Sequence, residues 1–174
     1  MRWDILEEKD GKALIITHDI IDSMAFDDNG SNNYEESSIR NWLNNDFYDI
    51  SFNTNEKNLI QLTLVDNSLE STGDNINKYV CNDTEDNIFL LSKKETQTYY
   101  MSNDERQAKG TKYAKNQGLY VAILINYEKC FWWLRTPDFY YPNKACLVNA
   151  YGDIYEGNAD RTNRGVRPAC WIKL

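Results

Sequence analysis

The chain has 174 residues, of which 41% are apolar and 13% aromatic, a composition typical of one globular domain with a hydrophobic core. Its net charge of −8 argues against binding to a nucleic-acid backbone, because that binding depends on neutralisation of phosphates by Lys and Arg. Membrane insertion is not expected either, since the longest apolar run, 119–125, is far shorter than the roughly 20 residues of a spanning helix.

A β-hairpin is predicted at the start of the chain. Apolar stretches at 3–6 and 13–16 flank the dipeptide formed by Asp10 and Gly11, which supplies the positive φ that a tight turn requires. Residues 22–33 are polar and rich in Gly and Asn, and they are predicted to form a loop.

Helical spacing follows this loop. Apolar side chains recur three, four and eight residues after Ile39 and predict a helix that begins near Ser37. A second short helix is predicted with its N-cap at residue 53 or 54, and Leu59 and Ile60 are expected to point inward.

The middle of the chain alternates apolar segments with polar ones. Its predicted segments are a strand at 63–65, a polar and acidic insertion at 67–87, a buried strand at 88–91, a helix at 93–101 and a helical turn at 111–117. Ser92 is the expected N-cap of the helix, and Gly118 fits the position that ends the helical turn. Strands and turns are predicted from Leu119 to the C-terminus.

Four cysteines are present, without the close spacing of a zinc or redox motif: Cys81, Cys130, Cys146 and Cys170. Buried free thiols are expected, since a chain of this length builds a core without disulfides. A disulfide between Cys146 and Cys170, across neighbouring strands, stays open for an exported protein. The sequence is compatible both with a cytosolic protein and with a domain of a longer exported chain, and it does not indicate an oligomeric state.

The C-terminal third combines aromatic residues with alternating apolar and polar positions, a pattern typical of strands. Its motifs are FWWLRTP (131–137), ACLVNAYGDIYEGN (145–158) and GVRPACWI (165–172). Together with IRNWLNNDFY (39–48), NDTEDNIFLLS (82–92) and KYAKNQG (112–118), they resemble an uncharacterised bacterial domain family with the C-type-lectin-like fold. That family is distantly similar to the formylglycine-generating-enzyme-like domains.

The resemblance covers nearly the whole chain and implies one domain, residues 1–174, of the α+β class. It implies two small twisted antiparallel sheets with two main helices packed on them, and first and last strands that pair so that the termini lie together. In the last strand of the family the residue before Trp is usually Leu. This chain has Cys170 there, and we expect its thiol to act as a core side chain.

An oxygen-rich cluster in the middle of the chain is a candidate calcium site. Asp83, Glu85 and Asp86 lie close together in the sequence, and Ca²⁺ prefers oxygen ligands. The alternative is a turn in which Asp83 and Thr84 bond backbone N–H groups ahead of the strand. A His-rich metal site is excluded, because His18 is the single histidine.

The C-terminal loops carry the candidate ligand-binding residues, because in similar lectin-like proteins the segment before the final G-x-R-P strand contacts the ligand. Tyr rings stack while Asn and Asp form hydrogen bonds, a combination that suits sugar hydroxyls or a protein epitope. The predicted set is Trp133, Arg135, Asp138, Tyr140, Tyr141, Asn143, Tyr151, Asp153, Tyr155, Asn158, Asp160, Arg161, Asn163 and Arg167. The alternatives are solvated loops without a ligand and, for the arginines at 135 and 167, buried ion pairs.

Three functions are compatible with these patterns. The leading hypothesis is a non-catalytic recognition module for a glycan or a protein surface. The second is an interaction or inhibitory protein that uses its acidic surface. The third, an oxidase of the formylglycine-generating type, is the least favoured: such enzymes use two closely spaced C-terminal cysteines, whereas Cys146 and Cys170 fall in different predicted strands.

Overall fold

The fold is of the α+β class and consists of several small open sheets with few helices. The computed structural model describes residues 1–122 and 128–174. The strands are β1 (Trp3–Lys9), β2 (Lys12–Thr17), β3 (Asp22–Met24), β4 (Thr63–Val65), β5 (Thr84–Asp86), β6 (Ala108–Lys109), β7 (Lys129–Cys130), β8 (Trp132–Pro137), β9 (Lys144–Val148), β10 (Ile154–Asn158), β11 (Arg164–Val166) and β12 (Ala169–Lys173). The helices are α1 (Ser38–Trp42), α2 (Tyr48–Ser51), α3 (Thr54–Lys57), α4 (Leu69–Thr72), α5 (Lys93–Tyr99), α6 (Asn103–Arg106) and α7 (Lys112–Asn116), with a π-helical turn (Leu43–Phe47) between α1 and α2.

The predicted N-terminal hairpin is confirmed. β1 and β2 are antiparallel, and the turn between them has positive φ at Asp10 (51°) and Gly11 (73°). The last strand returns to this hairpin, but it pairs with β2 and not with β1, so the order is β1-β2-β12 and the expected pairing of first and last strands is wrong. The physical reason is burial. The segment 13–17 of β2 is fully buried and suits a central strand, whereas β1 exposes Ile5 and suits an edge.

The second sheet has five strands in the order β10-β9-β8-β11-β3. β11 runs parallel to β8 through the pair Gly165 and Trp132, so this sheet is mixed and not antiparallel as the resemblance implied. Its edge strand β3 lies in the segment 22–33, where the composition predicted only a loop. Pairing with β11 therefore overrides the weak preference of this segment for a loop.

β8 lies between two hydrophobic cores. Trp132 belongs to one buried cluster and Trp133 to the other, and both side chains are 0% exposed. Each indole N–H has a backbone acceptor: the carbonyl of Arg106 for Trp132 and the carbonyl of Met24 for Trp133. The alternation expected of a strand thus sends adjacent rings to opposite faces of the sheet.

The two predicted helices after the loop are both present. The Ser37 hydroxyl caps α1, and helical backbone continues through the π-helical turn to the end of α2. Asn53 caps α3 in a capping box with Glu56. Of the two residues expected to point inward, Ile60 is buried, but Leu59 is 47% exposed.

Most of the middle segments are also confirmed, with two differences. The insertion 67–87 contains α4 and β5, although its sequence has no apolar period. Residues 88–91 are buried as expected, but they form only one bridge, from Phe89 to Ala169, instead of a strand. Ser92 caps α5, and Gly118 has a φ of 100° after α7. The strands predicted from residue 119 onward include 123–127, which lie outside the described residues.

The four thiols are free. Cys146 lies in β9 of the five-stranded sheet and Cys170 in β12 of the three-stranded sheet, and they belong to different core clusters. The two cysteines are therefore not on neighbouring strands, and the disulfide left open by the sequence does not form. Among the residues that the structure describes, no helix is long and apolar enough to cross a bilayer.

Candidate functional site

A groove beside β10, called here the β10 groove, gathers side chains from distant parts of the sequence. One end has a volume of about 390 Å³ and is lined by Asp74, Asn75, Ile76, Lys93, Asp138, Phe139, Tyr140, Cys146 and Glu156. The other end has a volume of about 270 Å³ and is lined by Lys93, Gln97, Asn103, Arg106, Cys146, Asp153, Ile154, Tyr155 and Glu156. The two ends share Lys93, Cys146 and Glu156, so they form one continuous surface feature.

The hairpin of β9 and β10 positions one wall of this groove. Glu156 pairs with Cys146 across the hairpin, and side chains of directly opposed residues share a face. The turn is fixed by Asn149, whose side-chain oxygen accepts hydrogen bonds from the backbone N–H groups of Tyr151 (2.8 Å) and Asp153 (3.1 Å). Asp153 in turn accepts a hydrogen bond from the side-chain amide of Asn103 in α6. The wall is thus held at both the strand and the turn.

Asp138 organises the aromatic end of the groove. Its carboxylate is almost fully buried and accepts hydrogen bonds from the backbone N–H groups of Tyr140 (2.9 Å) and Tyr141 (2.6 Å). The ring of Tyr140 packs edge-on against Phe139 at 4.6 Å, and the ammonium of Lys144 lies 4.4 Å from the centre of the Tyr141 ring. Both tyrosines stay exposed, at 70% and 52%. One carboxylate oxygen of Asp138 therefore holds the backbone that carries these two rings.

Lys93 lies at the centre of the groove, at the first residue of α5. Its ammonium donates to Asp74 at 2.6 Å, and its backbone N–H donates to the Thr136 hydroxyl. Burial raises the pKa of the neighbouring Cys146 thiol to about 12; the charge of Lys93 opposes this shift, and Glu156, Asp138 and Asp74 add to it. The thiol is accordingly protonated near neutral pH and acts as part of the wall.

Two predicted ligand-binding residues lie in the protein interior. Trp133 is 0% and Arg135 is 2% exposed. The guanidinium of Arg135 donates to both carboxylate oxygens of Glu95 and to the carbonyl oxygens of Leu90 (2.7 Å) and Asp66 (3.0 Å). The buried ion pair that the sequence left open as an alternative describes Arg135, and neither residue faces the groove.

Arg167 is also buried, in a different place. Its Nε donates to the carbonyl of Thr17 at 2.7 Å, and its Nη2 lies 3.6 Å from the carboxylate of Asp4. The guanidinium packs over the ring of Trp132 at 5.1 Å. Asp4 is shared with His18, whose Nδ1 is 2.8 Å from it. Arg167 thus joins the C-terminal segment to the N-terminal hairpin.

The remaining predicted residues do not form one surface. Asp153 lines the groove with Asp138 and Tyr140. Tyr155 borders the groove, but its side chain shares a face with Leu147 and not with Glu156. Tyr151, Asn143 and Asn158 are not among the lining residues; Tyr151 lies at the exposed tip of the β9–β10 turn. Asp160, Arg161 and Asn163 belong to the turn before β11, where the Asn163 carbonyl accepts a hydrogen bond from the Tyr120 N–H.

The three carboxylates of the candidate calcium site do not converge. Asp86 is buried and accepts a hydrogen bond from Arg40 at 2.7 Å, whereas Glu85 is exposed on the other face of β5. Asp83 accepts a hydrogen bond from the backbone N–H of Asn67, which agrees with a structural role for its carboxylate. Within 1–122 and 128–174, no group of three or more His, Cys, Asp or Glu side chains is placed to hold a metal ion. The structure therefore does not bring the carboxylates of Asp83, Glu85 and Asp86 together around one position.

Sequence reasoning missed several residues of the groove: Asp74, Asn75, Ile76, Lys93, Gln97, Cys146 and Glu156. The alternation of the β9–β10 hairpin was a usable signal for Glu156, because every second residue of a strand shares a face. No local signal was available for 74–76, since this segment reaches the groove only through the tertiary fold.

Comparison with known proteins gives a family and no closer relative. No curated protein and no solved structure matches the chain significantly. A family model described as a domain of unknown function, DUF6273, matches residues 10–174, which is nearly the whole chain. This match confirms the expectation of an uncharacterised domain family. The chain belongs to the DUF6273 family.

Proposed function

We propose that this domain is a non-catalytic recognition module that binds a glycan in the β10 groove. The strongest support is that an exposed aromatic ring and hydrogen-bonding groups line one surface. Tyr140 is 70% exposed, and it lines the groove together with Asp153, Glu156 and Lys93. Flat rings stack on sugar faces, while carboxylate and ammonium groups hydrogen-bond to hydroxyls.

The resemblance in the C-terminal motifs extends this proposal to the scaffold. We infer a C-type-lectin-like arrangement, in which a C-terminal strand returns to the N-terminal hairpin and the loops before it carry the ligand. The pairing of β12 with β2 supports the first part of this inference. The position of Asp138 and Tyr140 at the groove supports the second.

The cysteines favour recognition over the oxidase hypothesis. Thiol oxidases and copper–thiolate sites require thiolates, but burial raises the pKa of Cys146 and of Cys170 to about 12. The two residues also belong to different cores, so one substrate or metal would not meet both.

A glycan array followed by calorimetry on the best ligand tests the proposal. Tyr140→Ala should weaken binding by about tenfold, the loss expected for an aromatic contact of roughly 1 kcal/mol or more. Tyr113→Ala is the matched control, because Tyr113 is exposed at 59% but does not line the groove. The proposal is wrong if no glycan binds, or if both variants bind like the unchanged domain.

A protein ligand is the second candidate, because β10 ends the five-stranded sheet. The N–H of Asn149 bonds the carbonyl of Asp153, and the N–H of Ala159 bonds that of Asn143. In this antiparallel register the backbone N–H and C=O of Glu156 point away from β9. No residue of 1–122 or 128–174 hydrogen-bonds to them, so they can pair with an extended peptide. Hydrogen exchange separates the candidates, since only an added strand should protect the Glu156 amide. If a glycan binds and no peptide protects the Glu156 amide from exchange, the peptide hypothesis is wrong.

A further inference from the structure

Arg164, the first residue of β11, is held in place by aromatic rings. Its guanidinium lies 4.7 Å from the centre of the Phe131 ring and 5.9 Å from that of Tyr120. The two rings contact each other at 5.6 Å, and Tyr120 is 48% exposed. The two rings therefore hold the guanidinium close to the protein surface.

The hydrogen bonds of this guanidinium are incomplete. Its Nη1 donates to the side-chain oxygen of Asn163 at 2.9 Å, while its Nε is buried and has no acceptor among the described residues. A buried N–H without a partner is costly. Arg135 and Arg167 each keep one such nitrogen as well, Nε and Nη1 respectively, but both have a carboxylate partner.

A carboxylate partner is also missing. Three other buried or half-buried arginines, Arg40, Arg135 and Arg167, each have an Asp or Glu within 4.0 Å. Arg106 is half-buried and has none among the described residues, but its Nε, Nη1 and Nη2 each donate to an oxygen acceptor. Arg164 has neither a carboxylate partner nor a full set of acceptors among the residues that the structure describes, although the chain contains 27 acids. Residues 123–127 contain neither Asp nor Glu and supply no such partner.

A second positive charge, that of Arg161, lies near Arg164 and is also without a balancing carboxylate among the described residues. Burial and the nearby charge of Arg161 lower the pKa of Arg164, so the charged guanidinium is stabilised less here than in water. Arg161 is exposed, and its backbone N–H donates to the Asn158 carbonyl, so the turn that carries it is ordered. An anion bound at the outer nitrogens of the guanidinium would relieve this charge repulsion.

We propose that Arg164, Arg161 and Asn163 form a binding site for an oxyanion, namely a carboxylate or phosphate group carried by a ligand. The planar fork of Arg164 is suited to two parallel hydrogen bonds, and Asn163 fixes its orientation. Arg161 supplies the second charge. This site is formed by other residues than the β10 groove, and the inference does not depend on glycan binding.

The experiment titrates the whole domain with sodium phosphate and, separately, with sodium acetate at constant ionic strength. Calorimetry gives the affinity, and ¹H–¹⁵N spectra follow the Nε–H signal of Arg164. We expect saturable binding with a shift of this signal. Arg161→Gln should weaken it by about tenfold, and so should Arg164→Lys, which keeps the charge but loses the fork. Lys94→Gln is the control of equal charge change, since Lys94 pairs with Glu70 on another surface.

Saturable binding of either anion, lost in the two arginine variants and kept in the control, supports the site and shows which group it prefers. No saturable binding of either anion overturns it. An equal loss in Lys94→Gln also overturns it, because the effect would then be general charge screening. If Arg164→Lys does not fold, Arg161→Gln decides, because its side chain is exposed.

Discussion

Glu95 accepts hydrogen bonds from both Nη atoms of Arg135 and, in addition, from the backbone N–H of Ser92. One carboxylate therefore neutralises the buried cation of β8 and closes the capping box of α5. Loss of this carboxylate would leave Arg135 charged and buried at 2% exposure.

Glu95→Ala should consequently lower the free energy of unfolding by about 3–5 kcal/mol, the range for breaking a buried ion pair. Urea unfolding measures this change. Glu70→Ala is the control, because its ion pair with Lys94 is exposed and should contribute at most about 1 kcal/mol. Similar losses for the two variants would contradict the structural role of Glu95.

Gly152 combines a φ of 84° with a close approach to α6. A Cβ at this position would overlap the carbonyl group of Asn103, whereas a Cβ at Gly118, with a φ of 100°, would have no atom within 4 Å. Gly118→Ala should therefore cost only the backbone strain, about 1–2 kcal/mol. Gly152→Ala should cost clearly more and should shift the NMR signals of the β9–β10 turn. Equal costs would show that α6 does not restrain the turn.

Asp138 supports Tyr140, which lines the groove, and the adjacent Tyr141 by accepting hydrogen bonds from their backbone N–H groups. Asp138→Ala removes both bonds and should lower the free energy of unfolding by about 1.5–3 kcal/mol, the range for hydrogen bonds to charged groups. Ligand binding should weaken as well, because the rings lose their support. Asp138→Asn keeps an acceptor oxygen and should lose less of both. Binding that is unchanged in Asp138→Ala would exclude Tyr140 and Tyr141 from the contact surface.

The buried thiol of Cys170 predicts a pH dependence of stability. Burial raises the pKa of this thiol from 9.0 to about 12, so the unfolded chain releases the proton at lower pH than the folded domain. The contribution to stability is complete below pH 9 and is lost as the pH rises from there toward 12.

Cys170→Ala lacks this contribution, and its free energy of unfolding should fall less steeply above pH 9 than that of the unchanged chain. Urea unfolding at pH 8 and pH 10 under reducing conditions measures the difference, and comparison of the slopes cancels the Lys and Tyr titrations that the two proteins share. Parallel slopes would show that the thiol is accessible to solvent in the folded state.

Features set by neighbours in the sequence were predictable. The positive φ at Asp10 and Gly11, the Ser37 and Ser92 caps and the opposite faces of Trp132 and Trp133 all follow from local turn, cap and strand rules. Each depends on a few adjacent residues.

Features set by tertiary pairing were not predictable. β3 forms from Asp22, Ser23 and Met24 only because β11 lies beside it, and β12 selects β2 over β1 through burial. The groove was also not predictable, because it is formed by tertiary contacts such as the ion pair between Lys93 and Asp74. Arg164 was missed because its distinguishing property is the lack of a partner, and a sequence does not display that.

The alternation of β8 has a consequence for how the domain melts. β8 supplies Trp132 to one hydrophobic cluster and Trp133 to the other. Unfolding of either cluster displaces β8, and this also disrupts the other cluster. Heat or denaturant should therefore disrupt the molecule in a single concerted step, and the emission of the two indoles should report that step together.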